Sequence, residues 1–344
     1  MGKKVKNKDL AARLGVSGTL VSLVLNNKAD QHGIKKETQE KVLALARQMG
    51  YFDMVQEQGE ESVVEQKPGI IGMVVPSLHD PFVYEIIPHL EKAFATIGIG
   101  FAIITKDPDD LRFSRLTAAI RKFYSGLILL GEAADDYTIR SLRTGSYPFV
   151  LLEKSCKTLR LNTVCTDSSV GATLVAEHIE KLGYRNIVLV TENTPRKVGI
   201  EETQEILNEL GRKNCFNKPA EIELVRYPGA YEPDCSQIEK YMRPPFRAEM
   251  LLVMNSQLVY PIMSYLRKKK LRIPQDIALI SMEEGIGFDL MYTPVTCLRK
   301  PFSSLAVKVA NITWSEVKNA GKGKYKRQVN LVPELIVRQS CGTI

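Results

Sequence analysis

Tryptophan occurs once in this chain of 344 residues, histidine four times and cysteine six times. None of these residue types is grouped. Cys156, Cys165, Cys215, Cys235, Cys297 and Cys341 form no C-x-x-C pair, and none has metal-ligand spacing to His32, His79, His89 or His178. That excludes the common zinc frameworks and a small disulfide scaffold, and it suits reduced thiols in a reducing compartment. No uninterrupted apolar run reaches about 18 residues, so no membrane span is expected. The opening "MGKKVKNKDL" carries basic residues without an apolar stretch behind them, so it does not read as a secretory signal, and a cytoplasmic location is the expectation. Short "GIG" stretches at 98–100 and 285–287 lack the strand–G-x-G-x-x-G–helix setting of a dinucleotide site. Nor does any serine stand in a G-x-S-x-G elbow. With no catalytic constellation, neither an enzyme nor a cofactor is expected.

An apolar content of 44% with 25% charged residues is that of a globular protein. The length exceeds one ordinary core, so two or three domains are expected. The net charge of +8 is unevenly spread: residues 1–50 hold ten basic and four acidic side chains, and the remainder is nearly balanced. A basic first module on a neutral body points to a polyanion as partner, with a merely solvated basic face as the alternative.

Apolar periodicity divides that first module into three helices. Val5, Leu10 and Leu14 recur at helical spacing over 5–14, with Asn7 as a candidate cap and Gly15 as the stop. Ser17 is placed to cap a second helix running to about Leu25. A polar loop, "NNKADQHG", precedes a third helix over Lys35–Met49, with Val42, Leu45, Ala46 and Met49 on one stripe. Residues 52–68 are polar, acidic and Gly-interrupted, and read as a linker. From Gly69 short β-branched runs alternate with helical segments: "GIIGMVVP", "GIGFAIIT", "SGLILLG", "PFVLLE", "NTVCT", "NIVLVT", "EIELVRY", "AEMLLVM" and "DIALISM". Such alternation implies parallel sheets covered on both faces. Nine or ten strands predict two doubly wound lobes rather than one open sheet.

Helix, glycine turn, helix is the geometry of a helix-turn-helix, whose second helix enters the major groove by its N-terminal end. That helix starts at Ser17, and its free N–H groups and dipole suit a phosphate. Val16, Val21, Val24 and Leu25 are expected to pack the module, leaving Gly18, Thr19 and Leu23 facing outward.

At these residues the chain resembles the lactose-repressor (LacI/GalR) family of bacterial transcription regulators. The shared elements are D-L-A at 9–11, G-V-S at 15–17, V-S-x-V-L-N at 21–26 and E-T-x-x-K-V at 37–42, closing on Gly50 and Tyr51. The likeness continues through "GIIGMVVPSLHDPF", "TDSSVGATLVAEHIEKLGYRNIVLV", "RKVGIEE", "RIPQDIALISMEE", "TPVTCLRKPFSSLAVKVA" and "PELIVRQS". It implies an N-terminal all-α helix-turn-helix domain followed by an α/β two-lobed periplasmic-binding-protein-like domain built of two doubly wound parallel sheets. The implied divisions are 1–51 for the DNA-binding domain, 52–68 for an atypical hinge and 69–344 for the ligand-binding and dimerisation domain. Within the last, lobe 1 takes 69–166 and 298–330, and lobe 2 takes 167–297 and 331–344, with crossings near 166, 297 and 330. The implied function is a ligand-responsive DNA-binding regulator, a repressor by family habit. Its implied partners are double-stranded operator DNA, a sugar-like effector bound between the lobes, and a second copy of the chain.

Carried onto matching positions, the resemblance assigns DNA contacts to Lys6, Ser17, Gly18, Thr19, Ser22, Leu23 and Asn26. It assigns effector contacts to Arg196, Asn255 and Glu283, and the place of "SLHDPF" after a strand's C-terminal end adds His79, Asp80 and Phe82 as candidates. Three departures matter. The family's T-V-S-R reads Leu20, Val21, Ser22, Leu23 here, so a bidentate guanine contact is replaced by a side chain suited to a thymine methyl. Alternatively, Leu20 or Leu23 packs on the third helix and reads nothing. The Tyr-x-Pro-Asn hinge is replaced by "YFDMVQEQGEES", and the leucine that wedges into the minor groove falls at about Glu60. Either the operator centre is not kinked in the usual way, or the DNA contacts come from the first module alone. In the cleft, Ser256 replaces an Asp after Asn255 and Glu283 replaces an Asp, so the effector does not follow from any relative. Arg196 is a clamp for a hydroxyl pair or carboxylate, or else an interlobe partner of Glu283. His79 is a ligand contact or ordinary surface, and Asp167 a contact or a structural residue. A sugar-sensing binding protein with weak or non-specific DNA binding is the rival reading.

Overall fold

The computed structural model describes residues 7–25, 29, 32–49, 69–106, 120–154, 160–193, 200–213, 220–225, 234–320 and 326–342. The chain forms two compact units, Met1–Gln66 and Lys67–Ile344. Lys6, Asn26, Arg196, the linker at 52–68 and its Glu60 lie outside the described residues.

In the first unit α1 spans Asn7–Leu14, α2 Gly18–Leu25 and α3 Lys36–Gln48. Gly15 sits at φ 65°, a left-handed conformation that costs other residues energy, and so it can end α1 and open the tight turn into α2. Ser17 Oγ accepts the Leu20 N–H at 3.2 Å, the side-chain cap expected of it. The three helices close on Leu10, Ala11, Val21, Val24, Ala29, Val42 and Ala46. Leu20 packs partly buried against this core together with Val16 and Leu25.

The second unit holds two six-stranded sheets. The first comprises β1 (Ile70–Val75), β2 (Gly100–Thr105), β3 (Gly126–Leu130), β4 (Phe149–Leu152), β5 (Thr163–Thr166) and β11 (Gln328–Leu331). Its order is β11-β5-β4-β3-β1-β2, and every pairing is parallel. The second comprises β6 (Ile187–Asn193), β7 (Ala220–Val225), β8 (Met250–Val253), β9 (Ala278–Ser281), β10 (Thr296–Arg299) and β12 (Glu334–Ile336), in the order β12-β10-β9-β8-β6-β7. Only β12 runs antiparallel, against β10. Crossover helices cover both faces: α4 (Pro81–Thr96), α5 (Asp136–Thr144), α6 (Ser168–Leu182), α7 (Ile200–Arg212), α8 (Ile238–Met242), α9 (Ser256–Lys268) and α10 (Phe302–Lys318).

Side-chain alternation along β1 shows why both faces need cover. Ile71, Met73 and Val75 enter one core with α4 and α10, while Val74 enters another with Leu127 and Leu129. Two further cores flank the second sheet. The count of nine or ten strands is corrected to twelve among the described residues. The additional β10, β11 and β12 have only three or four residues each and carry no continuous apolar run. The chain passes from the first sheet to the second at Thr166–Ser168. The later crossings fall slightly beyond 297 and 330: Arg299 still pairs with Glu334 in the second sheet, and Leu331 still pairs with Thr166 in the first.

Candidate functional site

The N-terminus of α2 is the exposed end of the first unit's second helix. Ser17, Gly18 and Thr19 are exposed there, and nothing lies within 4 Å of the position a Cβ would take on Gly18. A backbone this bare can approach a phosphate or a base edge closely. Thr19 and Leu23 stand four residues apart and so share a face, with Ser22 beside them. Ser22 and Leu23 are half-buried, and Leu23 is not among the side chains packed on the module core. Of the two leucines in the T-V-S-R slot, Leu20 is therefore a packing residue and Leu23 flanks the outer face. The lysines at 35, 36 and 41 lie at the start of α3, where Lys41 pairs with Glu37 at 2.6 Å.

In the second unit the ends of the parallel strands converge on a cleft between the sheets, as doubly wound topology dictates. Asp80 follows β1 and caps α4: its Oδ1 accepts the Phe82 N–H at 2.9 Å. Burial raises the Asp80 carboxyl above its ordinary range, with the Phe82 bond and the nearby Lys300 acting in the opposite sense. Asn255 caps α9 in the same way, accepting from Gln257 N–H at 2.8 Å, and Asp167 caps α6, accepting from Val170 N–H at 3.1 Å. His79 is exposed, and its carbonyl accepts a bond from the Gln257 side-chain amide at 3.1 Å, across the cleft. Glu283 follows β9, and its Oε2 accepts the Ser256 N–H at 3.2 Å. The Phe82 ring leans on Phe302 at 5.4 Å.

Two side chains that sequence reasoning did not single out stand at the centre. Lys300 Nζ lies 3.1 Å from Glu153 Oε2, 3.9 Å from Glu283 Oε1 and 5.1 Å from the centroid of the Phe82 ring. Glu153, just past β4, turns its other oxygen to the Thr166 N–H at 2.6 Å and the Thr166 hydroxyl at 3.0 Å. Next to this cluster, Glu284 binds Arg299 Nη2 and Arg338 Nη2, both at 2.8 Å. Burial pushes the Glu284 carboxyl up, but the two arginines outweigh it and hold it below the usual carboxylate range. A void of about 20 Å³ remains between Phe82, Ser256, Glu283, Lys300 and Phe302, enough for about one water. It adjoins a cleft of about 570 Å³ bounded by Glu85 and His89 of α4, the 284–289 loop and the start of α10. The signal that would have found Lys300 is its place directly after a strand, where doubly wound sheets collect their ligand groups. Glu153 carries the same signal.

The comparisons agree with this geometry. Residues 8–52 match the model of the bacterial regulatory proteins of the lacI family. Residues 176–341 match the periplasmic binding protein-like domain. The chain belongs to the lacI family of bacterial regulatory proteins. It is a LacI-family DNA-binding transcription regulator, not an enzyme. The HTH-type transcriptional regulator DegA of Bacillus subtilis is 22% identical over 343 residues, spanning 98% of both chains. The HTH-type transcriptional repressor PurR of Haemophilus influenzae is 24% identical over 350 residues, again spanning 98% of both. Among solved structures, a lac repressor dimer bound to operator and an anti-inducer superposes with a TM-score of 0.71 at 20% identity, covering 98% of this chain and 99% of that one. A complex of the regulator CelR with cellobiose gives 0.66 at 17% identity, with 98% and 99% covered. A LacI-family regulator from Enterococcus faecium with bound ribose gives 0.66 at 18%, with 80% and 99% covered. For this LacI-family chain no described helix is long and apolar enough to cross a membrane. Among the described residues no His/Cys/Asp/Glu group could hold a metal ion.

Proposed function

We propose that this regulator is a cytoplasmic, homodimeric repressor. Its two α2 helices read a pseudo-palindromic operator, and its affinity for DNA is set by a small sugar or sugar derivative held between the lobes. The carrying observation is the N-terminal half of α2: a Ser17-capped helix start with Gly18 and Thr19 bare and Leu23 off the core, within a strongly basic module. DNA contacts are assigned to Ser17, Gly18, Thr19, Ser22 and Leu23, with Lys6 and Asn26 flanking them. Phosphate attraction comes from the lysines around α2, and the helix itself contributes shape and methyl contacts. Two copies present two such helices to two half-sites, and a ligand that closes the lobes changes the spacing of the modules.

The effector reading is supported by the position of the cleft at the strand ends and by the sugar complexes of similar regulators. Phe82 offers an apolar ring face and Glu283 an acceptor for hydroxyls. Arg196 supplies a planar donor fork, the Asp80 carboxylate oxygen that does not accept from Phe82 adds an acceptor, and the Asn255 side-chain NH2, whose oxygen is used in capping, adds a donor. His79 acts there through its backbone.

The test is selection of bound sites from random DNA at two salt concentrations. A defined two-half-site motif that persists at both is the expected result. Binding that is salt-sensitive but sequence-blind refutes specific regulation and leaves the rival reading, a sugar sensor with non-specific DNA affinity. A melting-temperature screen with sugars, sugar phosphates and nucleosides tests the effector: a rise with at least one supports it, and no rise across the panel counts against a ligand-gated regulator.

A further inference from the structure

Lys300 lies in the segment that carries the chain from β10 of the second sheet to α10, whose apolar face packs in the core of the first. Its two carboxylate partners sit on opposite sides of the cleft. Glu153 follows β4 of the first sheet, and Glu283 follows β9 of the second. Each carboxylate is fixed by a second bond at another strand end or helix start: Glu153 on Thr166, where the chain crosses between the lobes, and Glu283 on the Ser256 N–H that opens α9. Glu153 is held at φ 51°, an unfavourable conformation for a residue with a side chain, and this turn of the backbone presents its carboxylate to both Thr166 and Lys300. The Lys300 and Glu153 side chains are only 23% and 15% exposed, and Glu283 is 33% exposed. Charges this far from water are weakly screened, so the pairs exceed a surface salt bridge in effect. The Phe82 ring beneath the ammonium adds a cation–π contact from the first lobe. The void beside this cluster is about 20 Å³, so the ammonium occupies space that a ligand contacting Glu283 and Phe82 would need.

We propose that Lys300 is a built-in cation that ties the two lobes together across the cleft without any small molecule, and that a ligand reaching Glu283 and Phe82 must displace it. Glu153 and Glu283 are the paired counter-charges of this latch. The lobe closure that an effector would otherwise supply is thereby partly present in the free protein, and ligands are selected by how well they replace the ammonium between two carboxylates. Groups with several donors, such as an amine or a cluster of hydroxyls, meet that requirement, whereas a bare carboxylate does not. The inference rests on the cleft's geometry and does not depend on which effector binds.

Hydrogen exchange of the full chain without ligand, followed by mass spectrometry, tests it. The variants are Lys300→Met, which keeps length and removes charge, Lys300→Arg, which keeps charge, and Glu153→Gln with Glu283→Gln. In Lys300→Met, exchange should rise about tenfold in segments 78–83 and 160–166 of the first lobe and in 255–258 of the second. Lys300→Arg should recover most of that protection. Adding Lys300→Met to the double glutamine variant should change exchange no further, because the coupling has already been removed. Unchanged exchange in Lys300→Met, a rise confined to one lobe, or additive effects in the combined variant would overturn the latch. A separate melting curve establishes that each variant is folded. If the sugar panel gives no shift while the exchange pattern holds, the effector reading falls and the latch stands.

Discussion

Replacing Leu23 by arginine restores the residue type that the family most often carries at this position of the recognition helix. Leu23 is half-buried but takes no part in the module core, and it shares a face with the exposed Thr19. Exchange at such a site costs within about 0.5 kcal/mol of stability, so the module remains folded. A guanidinium there can pair with O6 and N7 of guanine, a contact that discriminates against the wrong base by about 1–3 kcal/mol, or about 5- to 150-fold in affinity. Selection from random DNA should therefore give Leu23→Arg a site with guanine at one position in each half-site, where the parent protein selects another base. Val21→Arg is the control. Val21 is fully buried between the helices, so a charge there unfolds the module and abolishes binding without altering preference. If Leu23→Arg melts like the parent and selects the same site, residue 23 does not face the bases and the assignment of the outer face of α2 is wrong.

Ser17→Ala removes the oxygen that accepts the Leu20 N–H and should cost the module about 1 kcal/mol. In a unit this small that should show as a lower first melting transition and weaker operator binding. Glu284→Gln breaks bonds to Arg299 and Arg338 and leaves two arginines without their shared partner. Arg299 is 43% exposed, so solvent screening holds the expected loss to about 1–2 kcal/mol, read as a lower melting temperature of the second unit. Burial pushes the Cys297 thiol from 9.0 up to about 11. The folded state therefore keeps a proton that the unfolded chain releases near 9. The stability this represents is fully present below pH 9.0 and is lost as the pH rises towards about 11. Across that window the melting temperature of Cys297→Ala should fall less than that of the parent.

The parts of the fold carried by long periodic segments could be read directly. The three helices of the first unit follow from the spacing of Leu10, Val21, Val24 and Val42, which all enter its core. The nine apolar runs from "GIIGMVVP" to "DIALISM" correspond to β1 through β9; in the buried strands β1, β3, β4, β8 and β9, cover on both faces removes the need for polar alternation. The last three strands have no such mark. In β11, Gln328 and Asn330 interrupt the run, and pairing at the sheet margin decides the outcome where composition does not. The site was less legible. Asp80 and Asn255, expected from the sequence to contact an effector, are both occupied as helix caps, a role that the residues after them foretell. Glu153 and Lys300 are 147 positions apart and meet only through the exchange of strands between the lobes. No spacing rule links them, and only the topology brings the pair together.

The return of the chain to the first sheet has a consequence during synthesis. β5 pairs with β11, so residues 163–166 wait for residues 328–331. At about 5–20 residues per second, that interval on the ribosome lasts roughly ten to thirty seconds. Throughout it, one margin of the first sheet is unpaired, and the core that receives Leu305, Val309 and Ile312 of α10 is uncovered. The second lobe is assembled inside this interval, from the segment between the two halves of the first. The nascent chain thus carries an open apolar sheet until its last few dozen residues emerge. A message truncated between β9 and β11 yields a protein with both lobes unfinished, rather than one with a complete first lobe and a damaged second.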